Sequence, residues 1–171
     1  MKVLNKTILV IMVLLLLVSC KQRVKYNPES DFSSEPIDGG RAVRITRYTG
    51  SEWTANIPPR IQNLPVTEIG NSAFEHRNLI SVTIPNSVTT IGHRAFANNQ
   101  LTQLTIPNSV TTIGSGAFGV NQLTQVTIGN SVTMIRSLAF INNQLSQVTI
   151  PNSVTEIEDR AFDENVSIIR R

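Results

Sequence analysis

The chain has 171 residues, a formal net charge of +3 and an aromatic share of only 5%, which suggests one folded domain with additional targeting or linking segments. Removal of residues 1–19, which is argued below, would leave a charge of +1 (15 − 2 = 13 basic groups, 13 − 12 = +1). So small a charge gives no electrostatic case for a nucleic-acid partner.

The chain begins with a basic segment that is followed by a short apolar one. Residues 8–18 are an unbroken apolar run, and two lysines precede it. As a helix, this run would rise only about 16 Å, roughly half the thickness of a bilayer core. It ends in Leu-Val-Ser-Cys, residues 17–20, which resembles the lipobox of bacterial lipoproteins.

This pattern predicts a lipoprotein signal peptide over residues 1–19 and a mature chain that begins at Cys20, the only cysteine. The resemblance implies a covalent lipid on the Cys20 thiol, and we expect no other cofactor. Several acyl chains give stable anchoring. Lys21 follows the cysteine in place of the aspartate that some bacteria use for inner-membrane retention, which favours the outer membrane. An ordinary signal peptide that ends near a cysteine is the alternative.

Residues 20–40 have no apolar periodicity and are rich in Pro, Gly, Ser and charged residues. Such a composition predicts a disordered tether between the membrane and the folded part. Tyr26 and Phe32 are isolated in this segment. We interpret them as incidental rather than as a binding motif.

The pattern changes at Arg41. Residues 42–48 alternate between apolar and polar side chains before a glycine, and residues 53–61 indicate a second strand and turn. Because an open terminal coil exposes apolar core and strand edge, we predict an N-terminal β cap over residues 41–61. The single tryptophan, Trp53, is expected to close the end of the core. A ligand platform is the alternative role for Trp53.

Residues 62–171 repeat with a fixed period. Ile84, Ile106, Ile128 and Ile150 are equivalent, and the differences between their numbers (106 − 84, 128 − 106, 150 − 128) all equal 22. Such a period is the signature of a solenoid. In the unit of residues 101–122, successive apolar positions have spacings of 3, 2, 4, 3, 4 and 1, which excludes one continuous helix or strand.

Each unit therefore predicts several short elements. Residues 103–106 and 110–113 indicate two short strands, and the Ala-Phe pair indicates a brief helical or 3-10 turn. Asn99, Asn121 and Asn143 recur before the next leucine, and Asn165 holds the same position in the last unit. We expect these asparagines to bond backbone groups of adjacent coils.

The motif Leu-x-x-Leu/Val-x-Ile-Pro, then Val-Thr-x-Ile-Gly, then Ala-Phe resembles the BspA-like leucine-rich repeats of bacterial surface lipoproteins. The resemblance implies a β-rich, right-handed solenoid of 22-residue units with a parallel sheet on its concave face. It also implies a lipid-anchored envelope protein that binds a protein ligand, through adhesion to host extracellular matrix or to other cells. A scaffold lipoprotein of the envelope without an external ligand is the alternative.

Polar residues flank the inward-facing side chains of the first strand in each unit, and they form two nearly uniform, uncharged columns on the concave face. These columns contain Ser81, Gln103, Gln125 and Gln147, and Thr83, Thr105, Thr127 and Thr149. The columns form either a candidate binding strip or a plain solvated sheet. Catalysis needs different groups with opposed roles, so no enzyme activity is expected. His76 and His93 lack partners at metal-ligand spacing, so no metal site is expected.

Two further features leave alternatives open. Val120, Leu138 and Ile141 occupy positions that are polar in other units, and they form either a small exposed apolar patch or random variation on exposed turns. Residues 166–171 form either a short closing strand or a poorly protected end that favours end-to-end association.

Overall fold

A computed structural model describes residues 25–171, so the proposed signal peptide and Cys20 lie outside the described residues. Within that range no helix is long and apolar enough to cross a membrane. Two 3-10 segments, Glu29–Asp31 and Asp38–Gly40, are the only helical elements among these residues. The strands are β1 Phe32–Ile37, β2 Ala42–Tyr48, β3 Thr54–Asn56, β4 Arg60–Ile61, β5 Leu64–Ile69, β6 Ser81–Thr83, β7 Thr90–Ile91, β8 Gln103–Thr105, β9 Thr112–Ile113, β10 Gln125–Thr127, β11 Met134–Ile135, β12 Gln147–Ile150, β13 Glu156–Ile157 and β14 Ser167–Arg170.

One side of the coils forms a continuous sheet with the strand order β1-β2-β5-β7-β9-β11-β13. The β1–β2 pair is antiparallel, and every later pair along this path is parallel. β4 joins β5 in a hairpin whose two loop residues, Gln62 and Asn63, have φ angles of 52° and 63°. Two positive φ angles are the requirement of a type I′ turn, whose twist matches that of the strands. The prediction of a parallel β-solenoid built on the repeat period is confirmed.

The other side, here called the strip side, contains β3, β6, β8, β10, β12 and β14. Its strands form three separate parallel pairs, β3–β6, β8–β10 and β12–β14. Gln103 pairs with Gln125, which is the offset of the repeat (125 − 103 = 22). Thr54 pairs with Ser81 and Gln147 pairs with Ser167, so the offset is larger in the first pair (81 − 54 = 27) and smaller in the last (167 − 147 = 20).

A column of aromatic rings runs through the core between the two sides. Ring centroids of successive members lie 4.7 to 5.5 Å apart, with interplanar angles of 2° to 24°. This spacing is close to the separation of neighbouring strands, so each coil contributes one ring to the stack. The column contains Tyr48, Phe74, Phe96, Phe118, Phe140 and Phe162.

The Ala-Phe pairs lie on turns whose hydrogen bonds join residues three apart, as in a 3-10 turn, and no regular helix forms there. In one unit, Ala117 N donates to Gly114 O at 3.1 Å and Gly119 N donates to Gly116 O at 3.0 Å. The residue at position 116 and its equivalents have positive φ angles, for example 62° for Gly116 and 51° for Arg94. A left-handed residue in each turn prevents the regular φ and ψ angles of a helix from continuing.

The predicted disordered tether over residues 20–40 is wrong for residues 29–40. Phe32–Ile37 forms β1, which pairs with β2, and the Phe32 ring packs 5.6 Å from the ring of Tyr48 in the core. Glu35 on this strand accepts a hydrogen bond of 2.8 Å from Arg44. An antiparallel edge strand needs few apolar residues because only one face meets the core, so its polar sequence resembles a linker.

The predicted packing role of Trp53 is also wrong, because 67% of this residue is exposed. Tyr48, Ala55, Ile57 and Phe32 fill the core at this end instead. Trp53 lies just before β3, and its carbonyl accepts a hydrogen bond from Ile80 N at 2.8 Å. The N-terminal cap therefore begins at β1, a strand that the sequence pattern did not predict.

Candidate functional site

The eight predicted strip residues all lie on β6, β8, β10 and β12, where the central side chain of each strand points inward and its two neighbours point outward. Seven of the eight are exposed and Thr149 is half-buried. Gln103 and Thr105 on β8 lie directly beside Gln125 and Thr127 on β10. The two columns are therefore present as surfaces, while a ligand for them stays a prediction.

The structure adds residues to both ends of the columns. Thr54 and Asn56 on β3 precede Ser81 and Thr83, and the Thr83 hydroxyl donates to Asn56 Oδ1 at 2.8 Å. At the other end, β14 adds Ser167 and an exposed isoleucine, Ile169. Sequence spacing missed these residues because their offsets differ from that of the repeat.

Two grooves lie on the strip side, and the lining of each includes strands from both sides of an interruption in strand pairing. The larger has a volume of about 640 Å³ and is lined by residues of β6, β8 and β10, including Thr83 and Gln103. The smaller has a volume of about 270 Å³ and lies between β10 and β12. Arg171 contributes to both linings, and neither lining contains an aspartate or a glutamate. These grooves offer hydrogen-bond donors and acceptors to a ligand, together with the guanidinium group of Arg171.

The asparagine column fixes the start of each strip strand. Asn99 Nδ2 donates to Phe74 O at 2.8 Å and to Phe96 O at 2.9 Å, while its Oδ1 accepts from Leu79 N and Arg77 N at 3.0 Å. The prediction that these residues would bond backbone groups of adjacent coils is confirmed. Equivalent bonds join neighbouring coils at Asn121 and Asn143.

The asparagine column does not continue to Asn165, the equivalent residue of the last unit. Asn165 is exposed, and the carboxylate of Asp163 accepts from the backbone N–H groups of Asn142 and Asn143 at 3.0 and 3.1 Å instead. The cause is the shorter connection into β14, which places Ser167 opposite Gln147 and thus brings the strand forward by two positions. The predicted closing strand is present as β14.

A separate, apolar groove of about 200 Å³ lies on the turns between the two sides. Val120, Leu138 and Ile141 contribute to its lining, with 46% of Val120 and 38% of Leu138 exposed. Val120 and Leu138 have φ angles of 56° and 61°. A left-handed conformation is costly for a β-branched residue, so this groove contains local backbone strain.

One ion pair near the same turns has a perturbed carboxyl group. Glu75 accepts hydrogen bonds from Arg94 Nε at 2.8 Å and from Asn98 Nδ2 at 3.2 Å. Burial alone would raise the pKa of Glu75, but the hydrogen bonds from Ser72 and Arg94 and the Arg94 charge outweigh burial and lower this pKa. The group is held ionised, which suits a structural role.

No cluster of three or more His, Cys, Asp or Glu residues that could hold a metal occurs within residues 25–171. His76 and His93 are exposed, and the nearest charged partner of His76 is Glu75, at 3.7 Å. The outward columns repeat amide and hydroxyl groups, which can form hydrogen bonds but do not provide an acid and a base with separated pKa values. The strip side is therefore suited to recognition.

A comparison with protein families adds the decisive observation. The model of the BspA type leucine-rich repeat region matches residues 56–169 in six copies, which is more than half of the chain. The chain belongs to this family. The matched region of the BspA-type chain begins at Asn56 on the strip side and ends at Ile169, so it includes all the predicted strip residues.

Several solved structures of bacterial proteins resemble this chain. Pneumococcal vaccine antigen PcpA is 26% identical with a TM-score of 0.58, over 85% of this chain and 34% of that one. A leucine-rich repeat protein of T. pallidum is 23% identical with a TM-score of 0.53, over 82% of this chain and 68% of that one.

A leucine-rich cell surface protein of Faecalibacterium prausnitzii A2-165 is 23% identical with a TM-score of 0.48, over 88% of this chain. This BspA-type chain spans 56% of the length of that protein. A comparison with curated proteins found no match.

Proposed function

We propose that this protein is a lipid-anchored bacterial envelope protein whose solenoid binds a protein ligand through the strip side. The observation that carries the proposal is the neutral polar surface of β3 to β14, in which amide and hydroxyl groups line two grooves. Hydrogen-bond donors and acceptors of this kind match the polar groups of a polypeptide. The repeated columns favour binding over catalysis.

The size of the surface limits the affinity of one copy. Six strands span about 24 Å at about 4.8 Å per step, and a strip a few residues wide falls short of the roughly 800 Å² per partner of a standard interface. Monovalent binding should therefore be weak. Many copies anchored to one membrane would raise the apparent affinity through multivalency.

Adhesion to host extracellular matrix or to other cells is the specific form that we propose. PcpA, which shares the fold at 26% identity, is described as a vaccine antigen, which supports a location where other molecules can reach the protein. Anchoring rests on the tetrad that ends at Cys20. Replacement Cys20→Ser should abolish palmitate labelling and release the protein from the membrane, and continued labelling would contradict the proposed anchor.

A scaffold role within the envelope is the second candidate, and the exposed Ile168 and Ile169 on β14 favour it because they offer apolar contact to a neighbouring protein. Protease treatment of intact cells separates the two roles. An adhesin should be cleaved on intact cells, whereas a periplasmic scaffold should be cleaved only after the outer membrane is opened.

The strip is tested with a soluble fragment of residues 25–171, which retains β1, and with immobilised matrix proteins. The double replacement Gln103→Lys and Gln125→Lys places two charges in the centre of the strip, and we expect loss of binding with an unchanged unfolding transition. Gln122→Lys with Gln144→Lys is the matched control, because these exposed residues have the same spacing but lie outside the columns. Equal binding by both double variants would place the ligand elsewhere on the molecule.

A further inference from the structure

The folded body begins much closer to the proposed lipid anchor than a tether over residues 20–40 would allow. Asn27 N donates to Asn56 O at 2.9 Å, and Asn27 Oδ1 accepts from Asn56 N at 2.7 Å. Asn27 Nδ2 also donates to Asp31 Oδ2 at 2.9 Å. Asn27 is thus attached to the outer edge of β3, at the N-terminal end of the solenoid.

The chain between Cys20 and Asn27 is short, with seven steps from one residue to the other (27 − 20 = 7). Even when fully extended, such a segment spans only about 25 Å, whereas the predicted tether would reach about 70 Å. A lipid on Cys20 would therefore hold the β3 end of the solenoid close to the bilayer surface.

That same end exposes large apolar and amphipathic side chains. Trp53 is 67% exposed, Ile80 is 46% exposed, and Tyr26 is 43% exposed. Trp53 and Ile80 are neighbours, because Ile80 N donates to Trp53 O and the next residues, Thr54 and Ser81, pair in register. Tyr26 lies beside β3 and lines a cavity of about 500 Å³ with Thr54 and Asn56.

The residues that immediately precede the strip strands form a row, here called the border, and its exposed apolar side chains lie only at this end. The positions equivalent to Trp53 and Ile80 in the next three coils are Thr102, Thr124 and Ser146, all exposed and polar, and the last, Val166, is half-buried against the core. A border whose exposed apolar side chains lie only at the end nearest the anchor matches a surface that meets a membrane there.

We propose that the β3 end of the solenoid docks on the phospholipid bilayer that holds the lipid anchor, with Trp53, Ile80 and Tyr26 in the headgroup region. This inference rests on the proposed anchor at Cys20. Tryptophan and tyrosine are enriched at membrane interfaces, where an apolar ring body and a polar group are both satisfied. Docking turns the long axis of the solenoid away from the bilayer and leaves the strip accessible along its length.

The charges around the docking residues indicate which lipid surface fits. Lys25 is exposed, while Asp31 and Glu52 line the same cavity as Tyr26. The described rim is thus close to neutral, and Lys21 and Arg23 add two positive charges to the segment between the proposed anchor and Tyr26. A phosphatidylethanolamine bilayer that contains a minority of anionic lipid suits this balance of charge, and burial of the Trp53 and Ile80 side chains supplies the main attraction.

Trp53 is the only tryptophan in the chain, so its fluorescence reports on this surface directly. The acylated full-length protein is reconstituted into phosphatidylethanolamine vesicles that contain a minority of phosphatidylglycerol. We expect a blue shift of the emission, quenching by lipids brominated on their acyl chains, and loss of quenching by aqueous iodide relative to the Cys20→Ser protein.

A matched control moves the probe to the other end of the same exposed border. The variant Trp53→Phe with Ser146→Trp places the tryptophan four strand steps, about 19 Å, from β3. We expect this probe to remain accessible to iodide and to be unaffected by brominated lipid. Quenching of both probes by brominated lipid would show a solenoid that lies on its side and would overturn end-on docking.

The remaining outcomes separate the anchor from the docking. If the protein sediments with vesicles but Trp53 stays as accessible to iodide as in the Cys20→Ser protein, the anchor stands and the docking is wrong. If the protein is not acylated and does not sediment, the proposed anchor is wrong and the docking is overturned with it.

Discussion

The two sides of each coil are attached to their neighbours in different ways. On the continuous sheet, β5, β7, β9, β11 and β13 pair without a break, and threonine hydroxyls add further bonds, as between Thr111 Oγ1 and Thr89 O at 3.2 Å. On the strip side, pairing stops between β6 and β8 and between β10 and β12. Asn99 and Asn143 bridge those two interruptions through bonds to the backbone.

This difference separates the part of the molecule that holds the coils together from the part that is free to bind. The continuous sheet satisfies its backbone groups internally, so changes there affect the fold first. The outward side chains of the strip have few partners within the protein. They can be changed with little effect on stability, which makes the strip a suitable place for recognition.

The largest expected effect comes from removal of a bridge where strand pairing is absent. Asn99→Ala leaves five buried or half-buried backbone groups without this partner, and we expect the free energy of unfolding to fall by about 4 kcal/mol. Urea unfolding with an unchanged m value measures this loss. Asn165→Ala is the control and should cost less than about 0.5 kcal/mol, because Asn165 is exposed. Equal effects would show that strand contacts alone hold the strip side.

A smaller effect depends on pH and tests the turns that join the two sides. The pKa of Glu75 lies below its ordinary value of 4.5, so the ionised carboxylate stabilises the fold above that pH, and this stabilisation is lost as the pH falls through the lowered pKa. We expect Glu75→Gln to cost about 1.5 kcal/mol at neutral pH and much less in acid. Chemical denaturation across this pH range checks the sign. A pH-independent cost would exclude the charge as its cause.

A third prediction concerns the strained apolar groove on the turns. Val120→Asn should raise the free energy of unfolding by about 1 kcal/mol, because asparagine tolerates the left-handed conformation better than a β-branched residue. The reverse change at the equivalent position of the following coil, Asn142→Val, should lower stability by a similar amount, because Asn142 has a φ angle of 55°. Thermal unfolding of both variants measures the pair. A loss of stability in Val120→Asn would mean that apolar contacts in the groove outweigh the strain.

The smallest effect compares one hydroxyl on each side. Thr105→Ala on the strip should change the free energy of unfolding by less than about 0.5 kcal/mol, since this side chain is exposed. Thr111→Ala removes the bond to Thr89 O and should cost about 1 kcal/mol. Parallel urea titrations compare the two. A larger cost for Thr105→Ala would contradict the division between the two sides.

The repeat made the central architecture predictable. Its constant period determines which residues share a column, so the exposed positions of β6 to β12 and the bridging role of Asn99 followed from spacing. The same argument does not predict the residues at the two ends of the columns. Asn56 and Ile169 join the columns through irregular offsets, which depend on how the end coils pack and not on the period.

The N-terminal errors have a different cause. Phe32 is a single apolar residue among polar ones, and one residue does not create a periodic pattern. It enters the core because β1 pairs with β2 and the Phe32 ring contacts the Tyr48 ring. Both are tertiary interactions, which a local sequence pattern does not contain. The prediction that Trp53 closes the end of the core is wrong because Phe32 and Tyr48 already occupy that space.

The aromatic column also determines the order in which parts of the molecule should unfold. From Phe74 to Phe140, each ring stacks on the ring of the coil before it and on the ring of the coil after it. The column is therefore a linear series of neighbour contacts, and the rings at its ends have one neighbour fewer. Phe162 ends that series and is more exposed than the interior rings. Amide hydrogens should therefore exchange faster around Phe162 than around Phe96, so that opening spreads inward from the ends of the column.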